Sequence, residues 1–128
     1  MRASLFASLA LALAGFAGHA EAHHAFSAAY DSNKPFTLTG TVTSVDWVNP
    51  HVHINVDSKA EDGAVTSWKF EVGSPNGLMR SGCTRNSLKP GDPVTVEGFR
   101  AKDGSNLGAA KTITSNGKKL FVDPPTEQ

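Results

Sequence analysis

Two strand-like runs that meet at Asn49-Pro50 constrain the fold of this chain more than any other feature. The first run covers residues 36–48, and the second covers His51 to Asp57. Successive side chains of an extended strand point to opposite faces, so the second run has one polar and one apolar face. The polar face consists of His51, His53, Asn55 and Asp57, and the apolar face consists of Val52, Ile54 and Val56. The pattern predicts a strand that covers a core with one face and presents two neighbouring imidazoles on the other.

The first run changes phase along its length. Its apolar residues are Phe36, Leu38 and Val42, followed at the opposite parity by Val45 and Trp47. A change of phase within one strand predicts a β-bulge or a sharp bend, and Gly40 permits either. Bent strands of this kind contribute to both halves of the wall in small closed barrels.

Turn and cap signals divide the rest of the chain into further strands and one short helix. Glu61-Asp62-Gly63 and Asn116-Gly117 mark hairpin turns. The other elements are strands at 64–72, 94–100, 109–115 and 120–122, and a helix with Ser74 as N-cap, Pro75 first and Gly82 past its end. This order predicts a mostly β fold, a small OB-like Greek-key barrel of five to six strands with the helix between strands three and four. A β-sandwich is the alternative, because strand order alone does not separate the two.

The first 22 residues have the pattern of a cleaved export signal. A short charged start, Met1-Arg2, precedes an apolar Ala/Leu-rich run and the small residues of Ala20-Glu21-Ala22. Cleavage after Ala22 would make His23 the mature amino terminus, and cleavage after Ala20 is the competing choice. The predicted organisation is a signal peptide at 1–22, an N-terminal leader at 23–35, an OB-like β domain at 36–122 and a flexible tail at 123–128. The predicted location is the periplasm.

Charge, hydropathy and cysteine content argue against nucleic-acid binding, a later membrane span and an internal disulfide. Removing residues 1–22 takes away one basic and one acidic residue, Arg2 and Glu21, so the formal charge stays balanced. A neutral domain has no general attraction to nucleic acid, and no later segment is long and apolar enough to predict a membrane span. The single cysteine, Cys83, cannot form an internal disulfide.

Several motifs together resemble an uncharacterised family of small exported bacterial proteins, known as a domain of unknown function. They are His23-His24-Ala25-Phe26, Thr39-Gly40-Thr41-Val42, Trp47-Val48-Asn49-Pro50-His51, Gly73-Ser74-Pro75-Asn76-Gly77-Leu78, Lys89-Pro90-Gly91-Asp92 and Gly98-Phe99-Arg100-Ala101-Lys102-Asp103-Gly104-Ser105. The resemblance covers nearly the whole mature chain and implies a periplasmic, OB-like β-barrel. It implies no function. Cys83 departs from the bulky residue, such as Trp, expected there, which argues against a cysteine-based mechanism.

The mature histidines make a metal ion the leading ligand. Two histidines at i and i+2 on a strand can reach one ion, and imidazole suits Cu(II), Zn(II) and Ni(II). An amino-terminal His23 would add its own amine, because a metal can displace a proton from a group with a pKa of about 8. The predicted metal ligands are His23, His24, His51 and His53, and copper is the favoured ion.

Metal-free alternatives remain open from the sequence. His51 could cap the corner by a hydrogen bond to a backbone group. The polar face would then be an ordinary solvated surface. The barrel could instead be an interaction module for a peptide, a glycan or an envelope protein, with candidate contacts from Trp47, Trp68, Phe99 and Arg100. Alternation on strand three, however, points Trp68, Phe70 and Val72 inward. An enzyme is not favoured, because no serine lies in a nucleophile elbow and no spacing singles out two carboxylates.

Overall fold

A computed structural model describes residues 26–121 of the chain. Residues 26–29 form a helical turn. The remaining elements are β1 (Tyr30–Asp46), β2 (His53–Lys59), β3 (Val65–Glu71), α1 (Pro75–Arg80), β4 (Pro93–Ala101), β5 (Leu107–Ser115) and β6 (Lys118–Phe121). Among these residues, no helix has both the length and the apolar character needed to cross a membrane. The predicted signal peptide, its cleavage site, the predicted tail at 123–128, His23 and His24 lie outside the described residues.

Five of the strands close into a barrel. β1 pairs with both β2 and β4 in antiparallel fashion, β2 pairs with β3, and β4 pairs with β5. The ring is completed by a short parallel pairing in which Lys69, Phe70 and Glu71 of β3 lie beside residues 107–109 of β5. β6 continues the sheet beyond β5 as a hairpin. This topology, with α1 between β3 and β4, is the predicted OB-like barrel, and the alternative of a β-sandwich is wrong.

The bend in β1 explains its two phases of apolar residues. The first part of β1 pairs with β4, the last part pairs with β2, and a register shift lies between Val42 and Ser44. The predicted bulge is thus confirmed. Gly40 has a separate role, because a Cβ at this position would collide with the carbonyl oxygen of Asp57 on β2. The missing side chain lets β1 and β2 approach closely where β1 passes from one partner strand to the other.

The core lies inside the barrel and under α1. Val52, Ile54 and Val56 are at most 2% exposed, as the alternation of the second run predicts. Other fully buried side chains come from β1, β3, β4 and β5 and include Val42, Phe70, Val94, Val96 and Ile113. Leu78 of α1 packs into the same cluster. Burial of these side chains supplies the main favourable free energy of folding.

The helix and the turns form as their residues predict. The Ser74 hydroxyl accepts a hydrogen bond of 3.1 Å from the Gly77 amide, Pro75 begins α1, and Gly82 follows it with a φ of +90°. Asn116 and Gly117 both have positive φ, which a tight two-residue hairpin requires. These local signals carry their own backbone geometry, so their prediction does not depend on distant contacts.

Several predicted strand boundaries and one predicted burial need correction. β1 begins at Tyr30 rather than Phe36, because Tyr30 pairs with Ala101 of β4. β2 begins at His53, so His51 belongs to the corner before the strand. β4 and β5 each start slightly earlier than predicted, at Pro93 and Leu107. Trp68 is only partly buried, although Phe70 and Val72 are buried as predicted.

Candidate functional site

The corner before β2 places His51 beside β3. Asn49 and Pro50 are joined by a cis peptide bond, and His51 follows directly. The next residue, Val52, is fixed by two backbone hydrogen bonds, one to the Gly73 carbonyl (2.9 Å) and one from the Val72 amide (2.8 Å). These bonds continue the β2–β3 pairing beyond the start of β2 and the end of β3. His51 is therefore held next to the last residue of β3, which is Glu71.

Glu71 joins two side chains that are far apart in the sequence. One carboxylate oxygen lies 2.9 Å from Nδ1 of His51, and the other accepts a hydrogen bond of 2.7 Å from the Tyr30 hydroxyl. The side chains of His51 and Glu71 are 27% and 19% exposed, so water screens this contact only in part. We call His51, His53, Glu71 and Tyr30 the histidine face. The contact with Glu71 gives His51 a partner other than the backbone group that the corner-cap interpretation expected.

Tyr30 is a donor in this arrangement. Burial, the hydrogen bond to Glu71 and the charge of Glu71, in that order, raise the pKa of its hydroxyl above the ordinary value. A phenol whose pKa is raised keeps its proton at neutral pH. The Tyr30 hydroxyl can therefore donate to Glu71 throughout the physiological range.

His53 lies between two carboxylates on the outer surface of the barrel. In the strand register it is opposite Asp46 of β1 on one side and Glu71 of β3 on the other. Burial is the main cause that lowers its pKa below the ordinary value, and the charge of Lys69 adds to this effect. Glu71 and Asp46 oppose the shift, and His51 contributes slightly to it. His53 is thus held mainly as neutral imidazole near pH 7.

A strip of hydrogen-bonded polar side chains extends from His53 along the same face. Asn55 donates to the Ser44 hydroxyl (2.8 Å) and to the Asp46 carboxylate (3.3 Å). One pleat further, the Ser67 hydroxyl donates to Asp57 (2.7 Å). The predicted polar face of the second run is therefore confirmed. Its side chains are already ordered by contacts with β1 and β3.

The structure brings together only part of the predicted metal-ligand set. His51 and His53 lie on one face, near enough for the charge of His51 to affect the pKa of His53. Within residues 26–121, no three His, Cys, Asp or Glu side chains are grouped so that they could hold a metal ion. A site built on these histidines would therefore need further donors, and the predicted ones, His23 and His24, precede the described residues.

The sequence alone does not identify Tyr30 or the specific role of Glu71. Tyr30 lies in the predicted leader at 23–35, and no spacing singles out Glu71 among the carboxylates. The parity of β3 does place Glu71 on the outer surface, so this signal was present. What no local pattern gives is the pairing of Glu71 with residues 20 and 41 positions earlier in the chain.

The other candidate contacts are occupied by the protein itself. The Arg100 guanidinium lies 5.1 Å from the centroid of the Trp68 ring, which also packs against Phe36 at 5.4 Å. Cys83 is buried, and burial raises the pKa of its thiol, which makes it a poor nucleophile and a poor metal ligand at neutral pH.

Comparisons with known proteins bear on the family and the fold. A model described as a family of unknown function (DUF6152) matches residues 10–111 of this chain. No curated protein matches. Among solved structures, the mitochondrial single-stranded DNA-binding protein Rim1 of S. cerevisiae is similar, with a TM-score of 0.51 and 15% identity over 65% of this chain and 93% of that one. At this identity the similarity shows the OB-type fold alone.

Proposed function

This chain belongs to a family of unknown function, and we propose that it is an exported, periplasmic binding or accessory protein that holds a metal ion, with copper favoured, through its histidines. The observation that carries the proposal is the contact of 2.9 Å between Nδ1 of His51 and Glu71. The ligands would be His51 and His53, completed by His23 and His24 of the mature amino terminus. Export rests on the signal pattern of residues 1–22.

The contact between His51 and Glu71 supports the proposal, because a carboxylate beside one ring nitrogen can orient the other toward a metal. A neutral His51 that carries its proton on Nδ1 would donate to Glu71 across the 2.9 Å contact and would keep the lone pair on Nε2 for a metal. Histidine ligands in proteins almost always donate their other ring N–H to a carboxylate, a carbonyl or water. The Tyr30 hydroxyl in turn fixes Glu71 at 2.7 Å. Such support orients the ring and makes the ligand more basic.

His53 supplies the second imidazole in a suitable protonation state. A metal binds only the neutral ring, and the lowered pKa of His53 favours that form at neutral pH. The charges of Asp46 and Glu71 on either side favour a cation over a neutral ligand. These nitrogen and oxygen donors suit Cu(II), Zn(II) and Ni(II). They are less suited to softer ions, which prefer sulfur ligands.

Two imidazoles alone would bind such an ion weakly, so the amino terminus is central to the proposal. His23 would contribute its amine and its ring once the signal is removed, and His24 follows immediately. Tyr30 contacts Glu71, and the Phe26 ring contacts that of Tyr30. His24 precedes Phe26 by two residues, and an extended chain of two residues spans at most about 7 Å. The chain length therefore allows these donors to reach the histidine face.

The test is a titration of protein recovered from the periplasm, whose intact mass must show that it begins at His23. Wild-type protein should bind one Cu(II) tightly at pH 7, and binding should weaken sharply below about pH 6 as the imidazoles protonate. His51→Ala, His53→Ala and a variant with one extra residue before His23 should each bind much more weakly. Lys59→Ala, an exposed change on the same strand, serves as the control.

A metal-free interaction module is the second candidate, and the polar strip from Asn55 to Ser67 favours it. The outer surface of strands two and three is where OB barrels bind extended ligands. Its side chains could recognise a peptide, a glycan or an envelope protein. Equal, weak copper binding by the wild type and all variants, or full-length protein in the cytosol, would remove the metal proposal and favour this one.

A further inference from the structure

We infer that residues 26–30 are an anchor that fixes the amino-terminal segment against the histidine face, with Tyr30 as its positioning residue. The anchor itself is built from contacts among described residues. Its effect on metal affinity rests on the proposed function. Neither the export signal nor the histidine pattern predicts such an element.

An aromatic contact attaches the start of the anchor to the barrel. The Phe26 ring lies 5.3 Å from that of Tyr30 and 6.3 Å from that of Phe99 on β4, in an edge-on arrangement with the latter. Aromatic pairs prefer such tilted or edge-on geometries. His24 precedes Phe26 by two residues, so the contact holds the chain shortly after the two histidines.

Backbone pairing attaches the other end of the anchor independently of the main strand. The Lys102 amide donates to the Ala29 carbonyl (2.9 Å), and Tyr30 pairs with Ala101. The register then breaks until Pro35 pairs with Phe99. Within the break, the Asn33 amide donates to the Asp31 carboxylate (3.0 Å) and closes a turn. Residues 26–30 are therefore a separate unit tied to the end of β4.

The Tyr30 hydroxyl connects this unit to the proposed ligands. It donates to one oxygen of Glu71 while His51 contacts the other. A single carboxylate thus fixes both the anchor and the ring of His51. Movement of the anchor would remove a partner from Glu71 at the same time as it released the amino terminus.

The anchor limits where the mature amino terminus can lie. His23 precedes Phe26 by three residues, and three residues span at most about 10 Å. With Phe26 fixed, the amine of a mature His23 would lie within that distance of it. Confinement raises the effective concentration of the amine at the site and lowers the entropic cost of ordering it when a metal binds.

The anchor can be tested without metal through one amide. The Lys102 N–H is protected by its bond to Ala29, so its hydrogen exchange reports opening of the anchor. In Phe26→Ala and Tyr30→Phe it should exchange at least tenfold faster than in the wild type, while amides within the β4 core, such as Val96, keep their protection. Thr39→Ala, an exposed change on β1 beyond the register break, is the control. Unchanged exchange of Lys102 in both variants would overturn the anchor.

The positioning role is tested by a double-mutant cycle in Cu(II) affinity. Tyr30→Phe and the one-residue extension before His23 should each weaken binding at least tenfold. Together they should weaken it little more than the extension alone, because both remove the same positioned amine. Fully additive losses would show that Tyr30 acts only through the charge of Glu71 and would overturn the role. If the wild type binds no Cu(II), the proposed function and the positioning role both fail, and Lys102 exchange still decides the anchor.

Discussion

Glu71 is the residue on which the geometry of the histidine face depends. Its two carboxylate oxygens contact His51 and Tyr30, which belong to different parts of the chain. Charged acceptors make stronger hydrogen bonds than neutral ones, and a partly buried carboxylate with two donors is a rigid support. A substitution that removes the charge of Glu71 but keeps its shape tests how much the carboxylate contributes to metal binding.

Glu71→Gln should therefore weaken Cu(II) binding by about 10–100-fold, the usual effect of changing a residue that supports a metal ligand. The amide keeps the volume of the side chain but removes its charge and one acceptor oxygen. Competition titration at pH 7 measures the change. Glu97→Gln, an exposed change on β4, is the matched control. An affinity within twofold of the wild type would show that Glu71 does not support a ligand.

His53 gives a pH prediction that needs no metal. Its pKa is lowered from the ordinary 6.5, mainly by burial, so below that pH the unfolded chain binds more protons than the folded protein. The resulting contribution to stability is present above about pH 6.5 and is lost as the pH falls through the folded-state value. An NMR titration of metal-free protein should place the His53 midpoint below 6.5. His53→Gln should lose less stability than the wild type between pH 7.5 and 5. A midpoint at or above 6.5 would contradict this.

At the scale of elements, β1 is the strand that determines where the site can form. It pairs with β4, passes the bulge between Val42 and Ser44, and then pairs with β2, which carries His53. The close approach at Gly40 sets the distance between β1 and β2. The strand also begins at Tyr30, so one element connects the anchor with the wall behind the histidines.

Gly40→Ala tests the close approach of the two strands. Its methyl group would collide with the Asp57 carbonyl oxygen and lie 2.7 Å from Cγ1 of Val56, and backbone cannot move aside as a flexible side chain can. The variant should lose about 1–3 kcal/mol of unfolding free energy, the usual cost of overpacking. Urea denaturation measures it, with Thr37→Ala on the exposed part of β1 as the control. Equal stability of Gly40→Ala and the wild type would show that the strands separate at little cost.

At the scale of the molecule, closure of the barrel depends on a small contact between β3 and β5. Phe70 is fully buried there and packs against Phe36 at 5.9 Å and Trp68 at 6.1 Å. Gly108 on β5 lies opposite, and a Cβ at that position would come within 2.8 Å of the Phe70 ring. The large side chain of Phe70 and the absence of a side chain at Gly108 allow the parallel pair to form.

Phe70→Ala should cost about 3–5 kcal/mol, a large part of the 5–15 kcal/mol typical of a small domain. The cost arises from lost burial and from the cavity left where the strands meet. Chemical denaturation of the mature protein measures it, and Thr66→Ala, exposed on the same strand, should change stability by less than about 0.5 kcal/mol. A loss below 1 kcal/mol would show that the barrel repacks without this ring.

Features whose cause is local could be predicted from the residues alone. Alternation of side chains made Val52, Ile54 and Val56 the buried face of β2, and the turn and cap residues marked α1 and the Asn116-Gly117 hairpin. The predicted class of fold followed from the order of these elements. Each signal rests on backbone conformation or on a period of two, which act over a few residues whatever the rest of the chain does.

The closure of the barrel, the start of β1 and the contacts of the histidines depend on packing between distant parts of the chain. The β3–β5 pairing excludes a sandwich, and Tyr30 enters β1 because Ala101 is available to pair with it. Glu71 meets Tyr30 across 41 positions of sequence. Contacts of this kind depend on which surfaces the packed core brings together. The residues next to a side chain in the sequence do not predict them.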